Sequence, residues 1–180
     1  MLEGAAMVST THSRAQRFEA FVDQHRDFAV RIAWQLLGAH HAMAEDIAQQ
    51  AFMKAWDHLP RFRDEAKLKT WFNRILVNQV RSHQRWWSVR SRAAILVGIH
   101  LEQPAELPAA DHGLKRHLSA ALDTLSLGQR EAFVFVHLHG LTVSETSAVT
   151  GRAPGTVKSH LHRALQKLRS ELTDIWEEHR

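Results

Sequence analysis

EDIAQQAFMKAWDHL, residues Glu45 to Leu59, is the stretch whose periodicity decides the fold. It opens on Glu45 and Asp46, acids that suit the positive end of a helix dipole. At helical spacing Ile47, Ala48, Ala51, Phe52, Ala55 and Leu59 then share one core-facing stripe. Asp46, Gln49, Met53 and Trp56 are left on a neighbouring face. A Met and a large aromatic placed off the core stripe, beside an acid and an amide, mark a surface kept for a protein partner.

The next stretch, AKLKTWFNRILVNQVRSHQRWW from Ala66 to Trp87, is a longer helix of the same design with a different outer face. Leu68, Trp71, Phe72, Ile75, Leu76, Val80, Trp86 and Trp87 are expected on its buried side, with Thr70, Arg74, Asn78, Arg81 and Arg85 opposite. Between Arg61 and Arg92 nine Lys or Arg stand against two acids, a net of +7 in a chain whose total is +4. Such concentration is the electrostatic footprint of a polyanion, and Asn78 is placed to touch a base edge or sugar. A solvated helix face is the competing account of any charge run.

Working outward, 180 residues with 44% hydrophobic and 23% charged content suit one or two small globular domains. The absence of cysteine excludes disulfides, thiolate chemistry and Cys-ligated zinc, and fits a cytoplasmic location. The longest apolar runs, Ala93 to Ile99 and Ala132 to Val136, fall far short of the roughly 20 residues that span a bilayer, so no membrane insertion is expected. Residues 1–13 show no secretion signal and read as a disordered tail. From Arg14 to Leu37 apolar residues recur at three and four, an amphipathic helix closed by Gly38. The first domain is thus all-helical and covers residues 14–92, with no stretch that alternates as a strand.

Composition changes at Ala93. Residues 93–113 carry no Lys or Arg, three acids and two prolines. The net charge is +5 for residues 1–92, −3 for this linker and +2 for residues 114–180. An acidic, proline-containing joint between basic domains reads as a flexible tether that lets each domain engage its own site. In the second domain a helix over Leu114 to Leu125 precedes Ser126 and Gln129, a capping box opening a helix that runs to Gly140. Thr142 and Glu145 repeat the device for a short helix ended by Gly151, and Pro154 starts the last one. Val157, Leu161, Ala164, Leu165, Leu168, Leu172 and Ile175 line one face of that last helix, with Thr156, Ser159, Arg163 and Gln166 opposite. A short helix, a tight turn and a longer helix with polar residues at its start are the parts of a helix-turn-helix, whose second helix enters a major groove.

AEDIAQQAFMKAW (Ala44–Trp56), FRDEA (Phe62–Ala66) and KTWFNRI (Lys69–Ile75) resemble region 2 of the extracytoplasmic-function (ECF) sigma factors of bacterial RNA polymerase. GTVKS (Gly155–Ser159) and ALQKL (Ala164–Leu168) resemble their region 4. The resemblance implies a dissociable promoter-recognition subunit, not an enzyme, without region 1 or 3 and without a cofactor. By position it implies that Asp46, Gln49, Gln50, Met53 and Trp56 meet the clamp helices of the largest subunit of core RNA polymerase. Arg61, Arg63, Lys67, Arg74, Asn78, Arg81 and Arg85 would read and melt the −10 element, where a base leaves the stack for a protein pocket. Arg152, Thr156, Lys158, Ser159, His162 and Arg163 would bind the −35 element as duplex promoter DNA, while the first helices of that domain dock on the flap of the second-largest subunit. The linker would thread the channel that later carries RNA, and an anti-sigma factor would hold the protein inactive. Gln50 stands where the family usually has an acid, and His160 replaces a common Arg.

Two other classes compete. A free-standing DNA-binding regulator needs only the helix-turn-helix, and leaves the Asp46 to Trp56 face and the basic stripe without a purpose. A metal-dependent nuclease lacks a clustered carboxylate set. Among fourteen histidines, His137 with His139 and His160 with His162 are spaced i,i+2, so their side chains diverge and no metal site is expected.

Overall fold

The computed structural model describes residues 3–62, 67–96 and 119–178, all side chains but those of residues 3–14, 39, 41, 95 and 172–178 included. Helix α1 spans Glu3–Leu37, and a 3-10 segment over Gly38–Met43 leads into α2, Ala44–His58. A 3-10 turn, Leu59–Arg61, precedes α3, Leu68–Leu96. In the second half, residues 119–123 form α4, followed by α5 over Leu127–Phe133, α6 over Val143–Thr150 and α7 over Pro154–Glu178. No strand occurs among the described residues, and no helix there is long and apolar enough to cross a membrane.

The stripe in Glu45 to Leu59 packs as its spacing predicts. Ile47, Ala48, Ala51, Phe52, Ala55 and Leu59 are all buried, and small residues at 48, 51 and 55 let α2 lie close to α1 and α3. Phe52 stacks on Phe72 of α3 with ring centroids 4.3 Å apart, and Phe21 of α1 meets Phe72 edge-on at 5.4 Å. Offset and edge-on pairs of this kind add to the area buried, so truncating Phe72 costs about 3–5 kcal/mol. Phe18, Phe21, Ala29, Ile32, Ala33, Leu36 and Leu37 supply the α1 wall of the same core.

Several expectations are corrected. Helix α1 begins at Glu3, so helical backbone replaces the tail expected over residues 3–13. Trp86, placed on the buried face of α3 from its spacing, is 54% exposed, because the core follows Phe72, Leu76, Val77 and Val80 and ends before the last turns of that helix. Helix α3 runs on to Leu96, into the apolar stretch that opens the linker; residues 97–113 and Arg63 lie outside the described residues. The helix expected from Ser126 to Gly140 is α only to Phe133. Val134–Leu138 continue as a π-helix, with the His139 N–H donating to the Val134 carbonyl at 3.0 Å. The wider turn puts Val134 and Phe135 in the core and rotates His139 onto α1.

The second domain otherwise follows its local syntax. The Ser126 N–H donates to Gln129 Oε1 at 3.0 Å, and the Thr142 N–H donates to Glu145 Oε2 at 2.9 Å while Thr142 Oγ1 accepts from the Glu145 N–H at 3.2 Å. Those reciprocal bonds satisfy donors that a helix start leaves open. Gly151 closes α6 with φ +68°, a left-handed cap that turns the chain into α7 at Pro154.

The two domains share a core. Buried Leu122, Val134, Phe135, Val149, Ala164 and Leu168 join the first-domain residues in one apolar cluster, and α6 packs on α3. Arg130, buried, donates from Nη1 to the Leu36 carbonyl at 3.3 Å and from Nε to the Leu122 carbonyl at 2.8 Å, tying α5 to the end of α1.

Candidate functional site

On α2 the faces separate as the sequence implies. Asp46, Gln49 and Gln50 are exposed, and Met53 and Trp56 are 62% and 47% exposed. The Trp56 ring rests on Phe18 of α1 at 5.7 Å between centroids, which holds it in place while leaving one side to solvent. Between α1 and α2 runs a groove with an apolar floor of Val22, Val30, Trp34, Ala48, Phe52 and Met53. Its rim carries Asp23, Asp27, Glu45 and Asp46 with Arg26 and Arg31. The α1 wall of that groove is absent from the sequence-derived site; a half-exposed Trp34 inside a helix otherwise buried on that side is the signal that marks it.

The basic stripe of α3 is divided. Arg61, Lys67, Arg74, Asn78 and Arg85 are exposed, and Arg85 Nη2 donates to Ser82 Oγ at 3.2 Å, a contact that aims the guanidinium along the helix. Arg81 is not free. Its Nε and Nη2 donate to Glu131 Oε1 and Oε2, both at 2.7 Å, in the two-pronged geometry that guanidinium and carboxylate planes favour. Glu131 comes from α5 of the other domain and its side chain is 1% exposed. Arg152 completes the triad, Nε to Glu131 Oε2 at 3.0 Å. Sequence reasoning missed Glu131 and Arg130, although two adjacent charges set among the apolar residues of a helix are the signal of charges buried against partners elsewhere, here Arg81 with Arg152 and Asp123.

On α7, Thr156, Lys158, Ser159, His162 and Arg163 are exposed on the face away from buried Val157, Ala164 and Leu168. Ser159 Oγ donates to the Gly155 carbonyl at 3.0 Å, so its hydroxyl is engaged within the helix. Arg152 is partly buried by the triad and stands apart from that row. His160 packs over Gly128, where a Cβ would lie 2.8 Å from its Nε2, and burial followed by repulsion from Arg152 and Arg163 lowers its pKa. His160 is therefore a packing group against α5. Among the described residues no group of three or more His, Asp or Glu side chains is placed to hold a metal ion.

This geometry, a helical domain with a half-exposed aromatic face joined to a helix-turn-helix, coincides with two matched families. Residues 21–87 match Sigma-70 region 2 and residues 115–168 match Sigma-70, region 4. An RNA polymerase sigma-E factor of Streptomyces avermitilis is 30% identical over 165 residues, covering 89% of this chain and 88% of the relative. The chain belongs to the ECF sigma factors of the sigma-70 family. The sigma factor is also 31% identical over 180 residues to the ECF RNA polymerase sigma factor SigE of Mycolicibacterium smegmatis, covering 94% of this chain and 67% of that one. Among solved structures it is similar to the sigma factor RpoE of Bartonella quintana in complex with the anti-sigma factor NepR. That likeness has a TM-score of 0.73 and 31% identity, with 88% of this chain and 98% of that one covered. CnrH in complex with the cytosolic domain of CnrY is similar at a TM-score of 0.64 and 28% identity, covering 88% of this chain and 90% of that one. Transcription initiation and DNA binding through region 4 come with the family.

Proposed function

We propose that this sigma factor binds core RNA polymerase through the α2 face of Asp46, Gln49, Gln50, Met53 and Trp56, and directs it to promoters with two separately read elements. The observation that carries the reading is the exposure of Met53 and Trp56 on a helix whose other apolar residues are buried. A monomer gains nothing from leaving a Trp and a Met in water beside an apolar groove, whereas a partner's helices laid across them bury both. The clamp helices of the largest subunit are that partner, and the first helices of residues 114–180 dock on the flap of the second-largest.

The N-terminal half of α7 reads the −35 element as duplex. Thr156, Lys158, Ser159, His162 and Arg163 lie on its solvent face, as a helix entering a major groove requires. The α3 stripe with Arg61, Arg63 and Lys67 takes the −10 element, where Asn78 contacts a base and the cations hold the single strand as it opens. Residues 14–92 and 114–180 act as separate modules joined by the acidic linker over residues 93–113, in the cytoplasm, under an anti-sigma factor that covers the polymerase-binding surfaces. The complex of RpoE with NepR supports that last step.

Promoter-dependent transcription by core polymerase tests the proposal, comparing the wild type with Asn78→Ala and Arg163→Ala. Stimulation that requires both side chains supports one DNA element per domain. Specific promoter binding with no dependence on polymerase overturns it in favour of a free-standing regulator.

A further inference from the structure

We infer that the end of α3 is a docking ridge for an acidic amphipathic helix of another protein. Trp86, Val89, Ala93 and Leu96 follow one another at intervals of three, four and three residues, the spacing that gathers apolar side chains into one helix–helix seam. Trp86 is 54%, Val89 66% and Leu96 87% exposed, and Ala93 is exposed as well. Among the described residues the other large apolar side chains left in solvent are Met53 and Trp56, which belong to the α2 face already given to polymerase.

The helix end is held while its seam stays open. Trp87 meets His40 edge-on at 4.7 Å, and Gln84 Nε2 donates to the Leu36 carbonyl at 3.0 Å, so the inner side rests on the end of α1 and the segment that follows it. Ala94, on that inner side, is buried. The seam is therefore presented in a fixed direction, and a ridge already ordered loses little conformational entropy when a partner binds.

Charge selects the occupant. Arg85 and Arg92 flank the seam on one edge and Arg90 on the other, with the Arg90 guanidinium 5.1 Å from the centroid of the Trp86 ring. No Asp or Glu occurs in α3 from Leu68 to Leu96. The same helix from a second copy would set arginine against arginine, and a nucleic-acid backbone would satisfy the cations while leaving Val89 and Leu96 against phosphate. A helix with apolar residues at the same spacing and Asp or Glu on both flanks matches apolar to apolar and charge to charge. The ridge is about 16 Å long, so it takes about three turns of one helix, in a contact that weakens with salt. Arg85 also belongs to the stripe assigned to the −10 element, so the docked helix competes with promoter DNA; that consequence rests on the proposed function, and the docking itself does not.

The probe is a labelled synthetic peptide of three heptads with Leu at the seam positions and Glu at the flanking ones, compared with the same peptide carrying Lys at the flanks. Fluorescence anisotropy on the full chain at low salt is expected to show the Glu peptide binding about ten times tighter than the Lys peptide. The acidic rim of the α1–α2 groove, Asp23, Asp27, Glu45 and Asp46, works against its binding there. Val89→Asp should weaken the Glu peptide about tenfold, and Arg85→Glu combined with Arg92→Glu should reverse the preference in favour of the Lys peptide. All three positions are exposed, and an unchanged unfolding midpoint shows that each variant still folds. Equal affinity for the two peptides, or a Glu-peptide affinity that Val89→Asp leaves unchanged, overturns the ridge. A concentration-dependent dimer of the free chain that Val89→Asp abolishes in sedimentation also overturns it, making a second copy the occupant. Tighter binding of a duplex oligonucleotide than of the Glu peptide, with the same dependence on Val89, overturns it in favour of nucleic acid. None of these readings involves polymerase or a promoter, so failure of the ridge and failure of the sigma-factor reading in transcription are told apart.

Discussion

The Arg130 guanidinium of the second domain occupies the space that a Cβ on Gly38 of the first would need. Gly38 has φ +65°, which lets the chain leave α1 sharply and brings the Leu36 carbonyl within reach of Arg130. A side chain at position 38 is therefore wrong twice, by its backbone conformation and by its volume. Gly38→Ala is expected to lower stability by about 2–3 kcal/mol, of which roughly 1 kcal/mol is the left-handed conformation. Gly140→Ala supplies the comparison, since Gly140 has φ +67° and nothing within 4 Å of its Cβ position. Urea denaturation of both variants should show the larger loss at position 38. Equal losses would mean that Arg130 moves aside without cost.

His139 makes the contact between α1 and the second domain sensitive to acid. Its Nε2–H donates to Gln35 Oε1 at 2.7 Å and its ring meets Phe28 edge-on at 4.9 Å. Burial, then repulsion from Arg31 and Lys69, pushes its pKa down to about 4. Because the folded protein binds this proton less readily than the unfolded chain does, the contribution is full above the ordinary value near 6.5 and is lost as pH falls from there towards 4. Allowing for the partial exposure of the ring, the loss is about 1–2 kcal/mol. Denaturation at pH 7 and pH 5 should show it in the wild type and not in His139→Gln, which keeps an amide donor without a titrating group.

What the sequence made legible was local. The stripes of α1 and α2, the α7 stripe from Val157 to Leu168, both capping boxes, Gly38, Gly151 and Pro154 follow from spacing and turn chemistry, and the motif positions on α2 and α7 emerge on solvent-facing sides; Leu172 and Ile175 of the α7 stripe lie outside the described side chains. What it concealed was relational. Nothing at Arg81 indicates that its partner lies fifty residues away in the other domain. A π-turn has no residue signature, so the rotation that sets His139 on Gln35 was invisible, and Trp86 looked like core because periodicity does not say where the neighbouring helices end. The long-range contacts between domains decide which members of a correctly placed stripe are available.

Partner binding by α2 separates from folding at Met53. Its side chain is mostly in solvent, so Met53→Ala should change stability by no more than about 0.5 kcal/mol. If it sits under the polymerase clamp, the same substitution should weaken the complex with core polymerase about tenfold, and Trp56→Ala more than that. Competition binding against a labelled wild-type sigma factor measures this. Unchanged affinity in both variants would remove α2 from the polymerase interface.

The two kinds of DNA contact assigned to this sigma factor differ in their dependence on salt. A lysine or arginine that neutralises a phosphate releases a counterion, and each such contact steepens the log–log slope of affinity against salt by about 0.9 for duplex DNA. Lys158 is exposed on α7, and Lys158→Ala should weaken promoter binding by the polymerase complex on every sequence while making the slope shallower by about one such step. Asn78 carries no charge, so Asn78→Ala should leave the slope as it was and reduce discrimination at one position of the −10 element. Binding titrations at several salt concentrations, on the promoter and on single-base variants, separate the two. A changed slope for Asn78→Ala, or an unchanged one for Lys158→Ala, would reverse the roles given to these residues.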